Sequence, residues 1–195
     1  MAAADPVFAT KALRKFLTSL TSRELPVLLD LGPVVGSNVN FFGEQLGCKI
    51  FVEDIFADIE RHARDGKLEA LPDFLKKRFP QADATFDGIL CWDVMDYLDR
   101  ASAHELAAQM TRVLRPDGAL LGFFASGPVR DTRYTKYVIV DEVNLQHRAY
   151  PASRGRGTSL LNRDIIRMFS ALRVSDSFLL QNNLREILFR KPVAS

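Results

Sequence analysis

The sequence predicts an α/β fold: a doubly wound, mostly parallel sheet closed by a C-terminal antiparallel hairpin strand. Three observations carry that expectation. Short apolar runs alternate with amphipathic stretches along the chain, the pattern of strands and helices that build a parallel sheet. "VLLDL" (27–31) is almost wholly apolar and bounded by Pro26 and Gly32, which marks a strand buried on both faces. Near the end, "RVSDSFLLQ" and "REILFRK" are separated only by "NNL", a link that permits an antiparallel hairpin and forbids a parallel crossover.

The elements follow in order. "FATKALRKFLTSL" spaces Phe8, Leu13, Phe16 and Leu20 at helical intervals and predicts an amphipathic leading helix. After the first buried strand, "NVNFFGEQL" reads as a helix ended by Gly47, and "KIFVE" (49–53) as a second strand feeding the helix "DIFADIERHARDG". Residues 67–85 hold the helical "LEALPDFLKKRFP", so the third strand is weak or absent. "FDGILCWDV" (86–94) is a strand. "SAHELAAQMTRVL" (102–114) is a helix, with Ser102 and Glu105 in a capping-box pattern. "RPDG" turns into the strand "ALLGFFA" (119–125), and "NRDIIRMFSAL" precedes the closing hairpin.

Composition narrows the class. At 195 residues, with 47% apolar and 26% charged, the chain reads as one globular domain over residues 1–195. A net charge of +2 is too small to argue for nucleic acid or an anionic membrane. Cys48 and Cys91 lack CxxC spacing and read as buried free thiols, and His62, His104 and His147 are too dispersed for a metal site. The opening "MAAADPVFATKALRKFL" has no signal-type apolar core, and no run approaches membrane-spanning length. A soluble, cytoplasmic protein is expected.

Three features line up where the strands end, the edge at which open α/β sheets bind ligands. In "PVLLDLGPVVGSN", Gly32 lets the chain turn and Gly36 lets a ligand approach the following helix, although such a pair also serves packing alone. Glu53 and Asp54 end the second strand, Glu53 lying 21 residues after Gly32. An acid there binds ribose hydroxyls, or else is an acidic turn that assists the next helix. In "FDGILCWDVMDYLD", Asp93 leaves the strand at the ligand-facing end, while Asp96 and Asp99 fit helix entry and capping.

Taken in this order, "VLLDLGPVVGSN", "IFVEDIF", "FDGILCWDVMDYLD", "LRPDGALLGFF" and "REILFRKP" resemble the successive motifs of class I S-adenosylmethionine-dependent methyltransferases. The resemblance covers residues 25–125 and, through the hairpin, 160–192. It implies a Rossmann-like methyltransferase fold, S-adenosylmethionine as cofactor and methyl transfer as the activity. It places Asp30, Gly32, Pro33 and Gly36 around the methionine end of the cofactor, Glu53 on the ribose and Asp54 beside the adenine. Cys91, Trp92, Asp93 and Val94 would face cofactor and substrate. Two departures stand out. Pro33-Val34-Val35 replaces the middle glycine, and the acid that commonly reads adenine has no match. A β-branched Val34 resists positive φ, so the loop either keeps negative φ or moves outward. Cofactor binding in the micromolar range is expected.

Methyl transfer from a sulfonium needs alignment above all, and a general base only where the acceptor must lose a proton. Asp93, Tyr134 and His147 are the candidates. Residues 126–158 form an insertion where a substrate cover would sit. It interleaves Arg130, Arg133, Lys136, Arg148, Arg154 and Arg156 with Tyr134, Tyr137 and Tyr150, against the acids Asp131, Asp141 and Glu142. A solvated hairpin explains this pattern; so does a surface for a small anion or for RNA. The partner expected is a small-molecule methyl acceptor, ahead of RNA, with no membrane. A non-catalytic binding protein on the same fold is the alternative. A nicotinamide-dependent oxidoreductase is disfavoured by the closing hairpin and the missing GxGxxG.

Overall fold

The computed structural model describes residues 5–127, 133–152, 155–156 and 160–193. In chain order these form β1 (Val7–Ala9), α1 (Leu13–Thr21), β2 (Val27–Asp30), α2 (Gly36–Asn40), β3 (Lys49–Val52), α3 (Ile55–Arg64), α4 (Leu71–Lys76) and β4 (Phe86–Trp92). There follow α5 (Arg100–Val113), β5 (Leu114–Ala125), β6 (Arg133–Asp141), β7 (Asn144–Pro151), α6 (Asn162–Met168), β8 (Arg173–Leu179) and β9 (Leu184–Arg190). Arg130, Asp131 and Arg154 of the insertion lie outside the described residues.

The main sheet has the order β3-β2-β4-β5-β9-β8. Its first four strands are parallel, and β9 runs antiparallel to both β5 and β8, as the short "NNL" link requires. Between β3 and β4 the described residues form a 3₁₀ turn (Leu68–Ala70) and α4 rather than a strand, leaving β3 at the edge. Every residue of β4 is buried, including Asp87. That carboxylate accepts the Val27 N–H at 2.8 Å and pairs with Arg115 at 2.9 Å, which makes its burial affordable at the amino edge of the sheet.

Strand alternation divides the apolar side chains between two cores. Leu29, Ile89, Cys91 and Leu120 pack with α3, α4, α5 and α6 on one side. Leu28, Leu90, Trp92 and Leu121 pack with α1, Phe42 and the insertion on the other.

The insertion is folded against the body of the protein. β6 and β7 form a hairpin, and β1 adds to β7 to complete a three-stranded sheet, β1-β7-β6. Tyr134, Tyr137, Val138, Ile139 and Leu145 of this sheet are buried. Asn38 of α2 clamps it: its amide donates to the Tyr137 carbonyl at 2.8 Å, and its Oδ1 accepts the Ile139 N–H at 2.9 Å. The small sheet therefore roofs the carboxyl ends of β2 and β4.

Three local expectations are corrected. Phe8 lies in β1, and the helix begins only at Leu13. The preceding amides of Lys11 and Ala12 are held at 2.9 and 2.8 Å by the buried carboxylate of Glu186, a partner remote in sequence. The cap of α5 is Asp99, whose Oδ1 accepts the Ser102 N–H at 2.7 Å; Ser102 lies inside the helix, and Glu105 accepts from Gln109. Asp96 caps nothing. It is buried and accepts the Ala125 N–H at 2.8 Å, a role open only to a residue packed beside β5.

Candidate functional site

The acid–glycine loop grows out of β2 between two parallel neighbours. The Leu31 N–H donates to the Leu90 carbonyl at 3.0 Å, and the Glu53 N–H donates to the Asp30 carbonyl at 2.8 Å, which sets the ends of β2 and β3 side by side. No residue from Gly32 to Gly36 has a positive φ, and Val34 stands 64% exposed. Valine at the middle-glycine position therefore costs the loop nothing.

Asp30 is buried, and its Oδ1 accepts the Gly32 N–H at 2.9 Å and the Trp92 indole N–H at 2.6 Å. Burial pushes its carboxyl up to about 6 against the pull of those two donors. A Cβ on Gly32 would lie 2.7 Å from Trp92 Cδ1, so glycine is required here by the indole ring. Gly36 has open space around it at the start of α2, and Pro33 is buried between the two glycines.

At the end of β3, Glu53 is bonded to Arg78 Nη1 at 2.7 Å, and Arg78 Nε also holds Asp58 at 2.7 Å. Asp54 is the N-cap of α3, accepting the Ala57 N–H at 3.0 Å, and burial raises its carboxyl. Of the two readings open for this pair, Asp54 performs the helix-entry one, while Glu53 remains partly exposed beside the loop.

The end of β4 is the most heavily constrained part of the site. Trp92 sits at φ 49°, an uncommon conformation for a bulky residue. Its ring lies across Gly32, stacks on Tyr137 with centroids 5.2 Å apart and planes 6° from parallel, and meets the edge of Phe123. Cys91 and Val94 belong to the opposite core with α3 and α5, away from Trp92. Asp93 is fully buried and paired with Arg156; burial raises its carboxyl, with Arg156 first among the groups that oppose this. Burial and the neighbouring Asp93 push Asp96 up to about 7. Arg156 also donates from Nε to the Tyr97 hydroxyl at 2.9 Å, binding the segment after β7 to the end of β4.

The three candidate bases meet different surroundings. Asp93 is held by a guanidinium. The Tyr134 hydroxyl donates to Glu60 at 2.6 Å, and burial raises its phenol. His147 lies between the rings of Phe8 and Tyr137, 4.5 and 4.8 Å away, and burial lowers it to about 4. It is neutral near pH 7 but a weak base. Sequence reasoning missed Asn38, Arg78 and Tyr137 as parts of this edge. Trp92 was legible as the only tryptophan of the chain at a ligand-facing strand end, but not as the ring that fills it.

With this geometry in place, residues 29–122 match a family model described as a methyltransferase domain. That match spans just under half of the chain. Solved structures agree in fold. An N-methyltransferase, NodS, from Bradyrhizobium japonicum is 19% identical, with a TM-score of 0.51 over 92% of this chain and 94% of that one. The 1,6-didemethyltoxoflavin N1-methyltransferase of Burkholderia thailandensis, crystallised with its substrate and S-adenosylhomocysteine, is 16% identical, with a TM-score of 0.51 over 93% of this chain and 79% of that one. The [4+2]-cyclase SpnF reaches a TM-score of 0.57 at 14% identity, over 93% of this chain and 81% of that one. At these identities the likeness is one of fold, and SpnF marks that the fold hosts more than one reaction. S-adenosylmethionine is the cofactor of the methyltransferase family. No curated protein matches the chain in sequence. Among the described residues no helix is long and apolar enough to cross a membrane, and no cluster of histidine, cysteine and carboxylate side chains is arranged around a metal.

Proposed function

We propose that this methyltransferase-domain protein binds S-adenosylmethionine at the carboxyl edge of β2, β3 and β4 and transfers its methyl group to a small-molecule acceptor. The observation that carries the reading is the juxtaposition of Asp30 and Gly32 at the end of β2 with Glu53 at the end of β3. An acid–glycine turn and a ribose-height carboxylate on adjacent parallel strands match the two ends of a nucleoside amino acid. Bound there, the cofactor supplies an activated methyl group, and the protein's part is to align the acceptor and exclude water.

The roof formed by the small sheet favours a small acceptor over RNA. Among the insertion's described basic residues, Arg156 is half-buried in the site, Arg148 bonds Gln146 and faces Asp5 at 3.5 Å, and Lys136 lies over the Tyr150 ring at 4.9 Å, while Arg133 is exposed. A toxoflavin precursor is the acceptor of one fold neighbour, which fits the same size class.

A second reading, cofactor binding without transfer, is favoured by one set of facts: each candidate base is engaged or weakened, and Trp92 stands against Gly32. Incubation with methyl-labelled S-adenosylmethionine and fractionated cell extract separates the two. Label passing to a low-molecular-weight product supports transfer. Binding of the cofactor with no labelled product in any fraction supports the second reading. Label on RNA, with binding that falls steeply with salt, would overturn the small-acceptor reading.

A further inference from the structure

We propose that the β1-β7-β6 sheet is a latched lid, with Trp92 and Tyr137 as its plug and the Arg156–Asp93 ion pair as its latch, and that it must open for the cofactor to enter. The inference rests on the reading that the cofactor's amino-acid tail lies at Asp30 and Gly32. As the site stands, that place is taken. The Trp92 indole covers Gly32 so closely that an added Cβ would approach it to 2.7 Å, and its N–H occupies the Asp30 oxygen that also accepts from Gly32. Tyr137, carried on β6, lies flat against the indole and shuts it in; Trp92 is 3% exposed.

The lid's attachments to the body beneath are specific. Asn38 bonds the β6 backbone at Tyr137 and Ile139, Tyr134 bonds Glu60, and the Tyr97 hydroxyl donates to the Arg133 carbonyl at 3.1 Å. Arg156, five residues beyond the end of β7, closes the far side on Asp93 and Tyr97. The seam below is incompletely satisfied: Asp96 Oδ1 and the Tyr150 hydroxyl are buried with no hydrogen-bond partner. Buried polar atoms left unpaired weigh against the closed arrangement. So does the left-handed backbone of Trp92, a strain of the kind that collects at switching sites. The closed lid is therefore held by a few strong contacts over a seam that resists closure, which is the requirement for a two-state element.

Opening changes the charge the site presents. Once Trp92 leaves, Asp30 Oδ1 loses the indole donor and keeps only the Gly32 N–H. Once Arg156 leaves, Asp93 is an unpaired carboxylate at the same edge. Two carboxylates then face a ligand with an ammonium group and a sulfonium centre, so the cations of the cofactor replace the indole N–H and the guanidinium. Binding and opening are thus coupled, and the apparent affinity is reduced by the closed fraction.

Trp92 is the only tryptophan, so its emission reports the plug directly. The test is titration of the whole protein with S-adenosylhomocysteine, followed by calorimetry and by tryptophan emission in parallel. The expected result is a red shift that saturates with the heat. Arg156→Gln should red-shift the free protein and tighten binding about tenfold or more, as a larger open fraction requires. Tyr137→Ala, which removes half of the plug together with its hydroxyl contact to Asp93 and leaves Arg156 in place, should act in the same direction and serves if the first variant fails to fold. Binding to the variants without detectable binding to the wild type also supports the lid. Heat with no emission change, and with affinity unaltered in both variants, overturns the lid while the cofactor reading stands. No heat with the wild type or either variant overturns both.

Discussion

The ends of β2 and β4 lie side by side at one edge of the sheet, yet they are built in opposite ways. After β2 the chain makes a loop of local character: Asp30 bonds Gly32 two residues on, φ stays negative through Gly36, and Val34 projects into solvent. After β4 almost every contact is remote. Trp92 reaches back to Asp30 and across to Tyr137, and Asp93 depends on Arg156, 63 residues later. The first end is a motif and the second is an assembly. The departure visible in the sequence, valine for glycine, is structurally harmless, whereas an unremarkable "CW" decides what the loop can receive.

That contrast can be broken at several points. The largest effect is expected at Gly32→Ala, where the new methyl meets a packed indole; overpacking of this kind costs about 1–3 kcal/mol, read by urea unfolding. An unchanged midpoint would mean that Trp92 is not held against the loop. A smaller effect separates the two acids by pH. Asp96 titrates at about 7 in the fold and from 3.8 in its absence, because burial and Asp93 penalise its charge. Between those values the native chain keeps a proton that the unfolded chain has lost, so stability falls as pH rises through the window. Asp96→Asn should therefore gain in melting temperature over wild type as pH climbs from about 5 to 8. Asp30, at about 6, slopes the same way, and His147, at about 4, slopes oppositely below its ordinary 6.5; both are common to the two proteins and cancel in the difference. A constant gap across that range would show Asp96 ionised throughout. The smallest effects belong to the loop itself. Gly36→Ala has open space and no positive φ, and Val34→Gly removes an exposed side chain, so each should alter unfolding free energy by no more than about 0.5 kcal/mol.

What the sequence makes legible follows the same division. The parallel sheet, the missing strand after β3 and the closing β8–β9 hairpin come from apolar runs and link lengths, which are local quantities. Asp30, Gly32 and Glu53 come from motif spacing. The start of the leading helix at Leu13, the cap at Asp99 and the burial of Asp96 depend on partners brought by folding: Glu186, the Ser102 amide and the Ala125 amide. The insertion was legible by its position between β5 and α6, but the face it turns to the body was not. Nothing in "RYTKYVIV" says that Tyr137 stacks on a tryptophan 45 residues earlier.

The proposed function requires that the Asp30–Gly32–Glu53 edge hold S-adenosylmethionine. Its most direct test is calorimetric titration of S-adenosylhomocysteine into the wild type, the lid-loosened Tyr137→Ala protein and each of these combined with Glu53→Gln. One site per chain is predicted, detectable at least in the loosened protein and weakened tenfold or more by loss of the Glu53 charge, as expected for a carboxylate that holds ribose hydroxyls through charge-assisted hydrogen bonds. Absence of binding in both Glu53 proteins, or binding indifferent to Glu53→Gln, would contradict it.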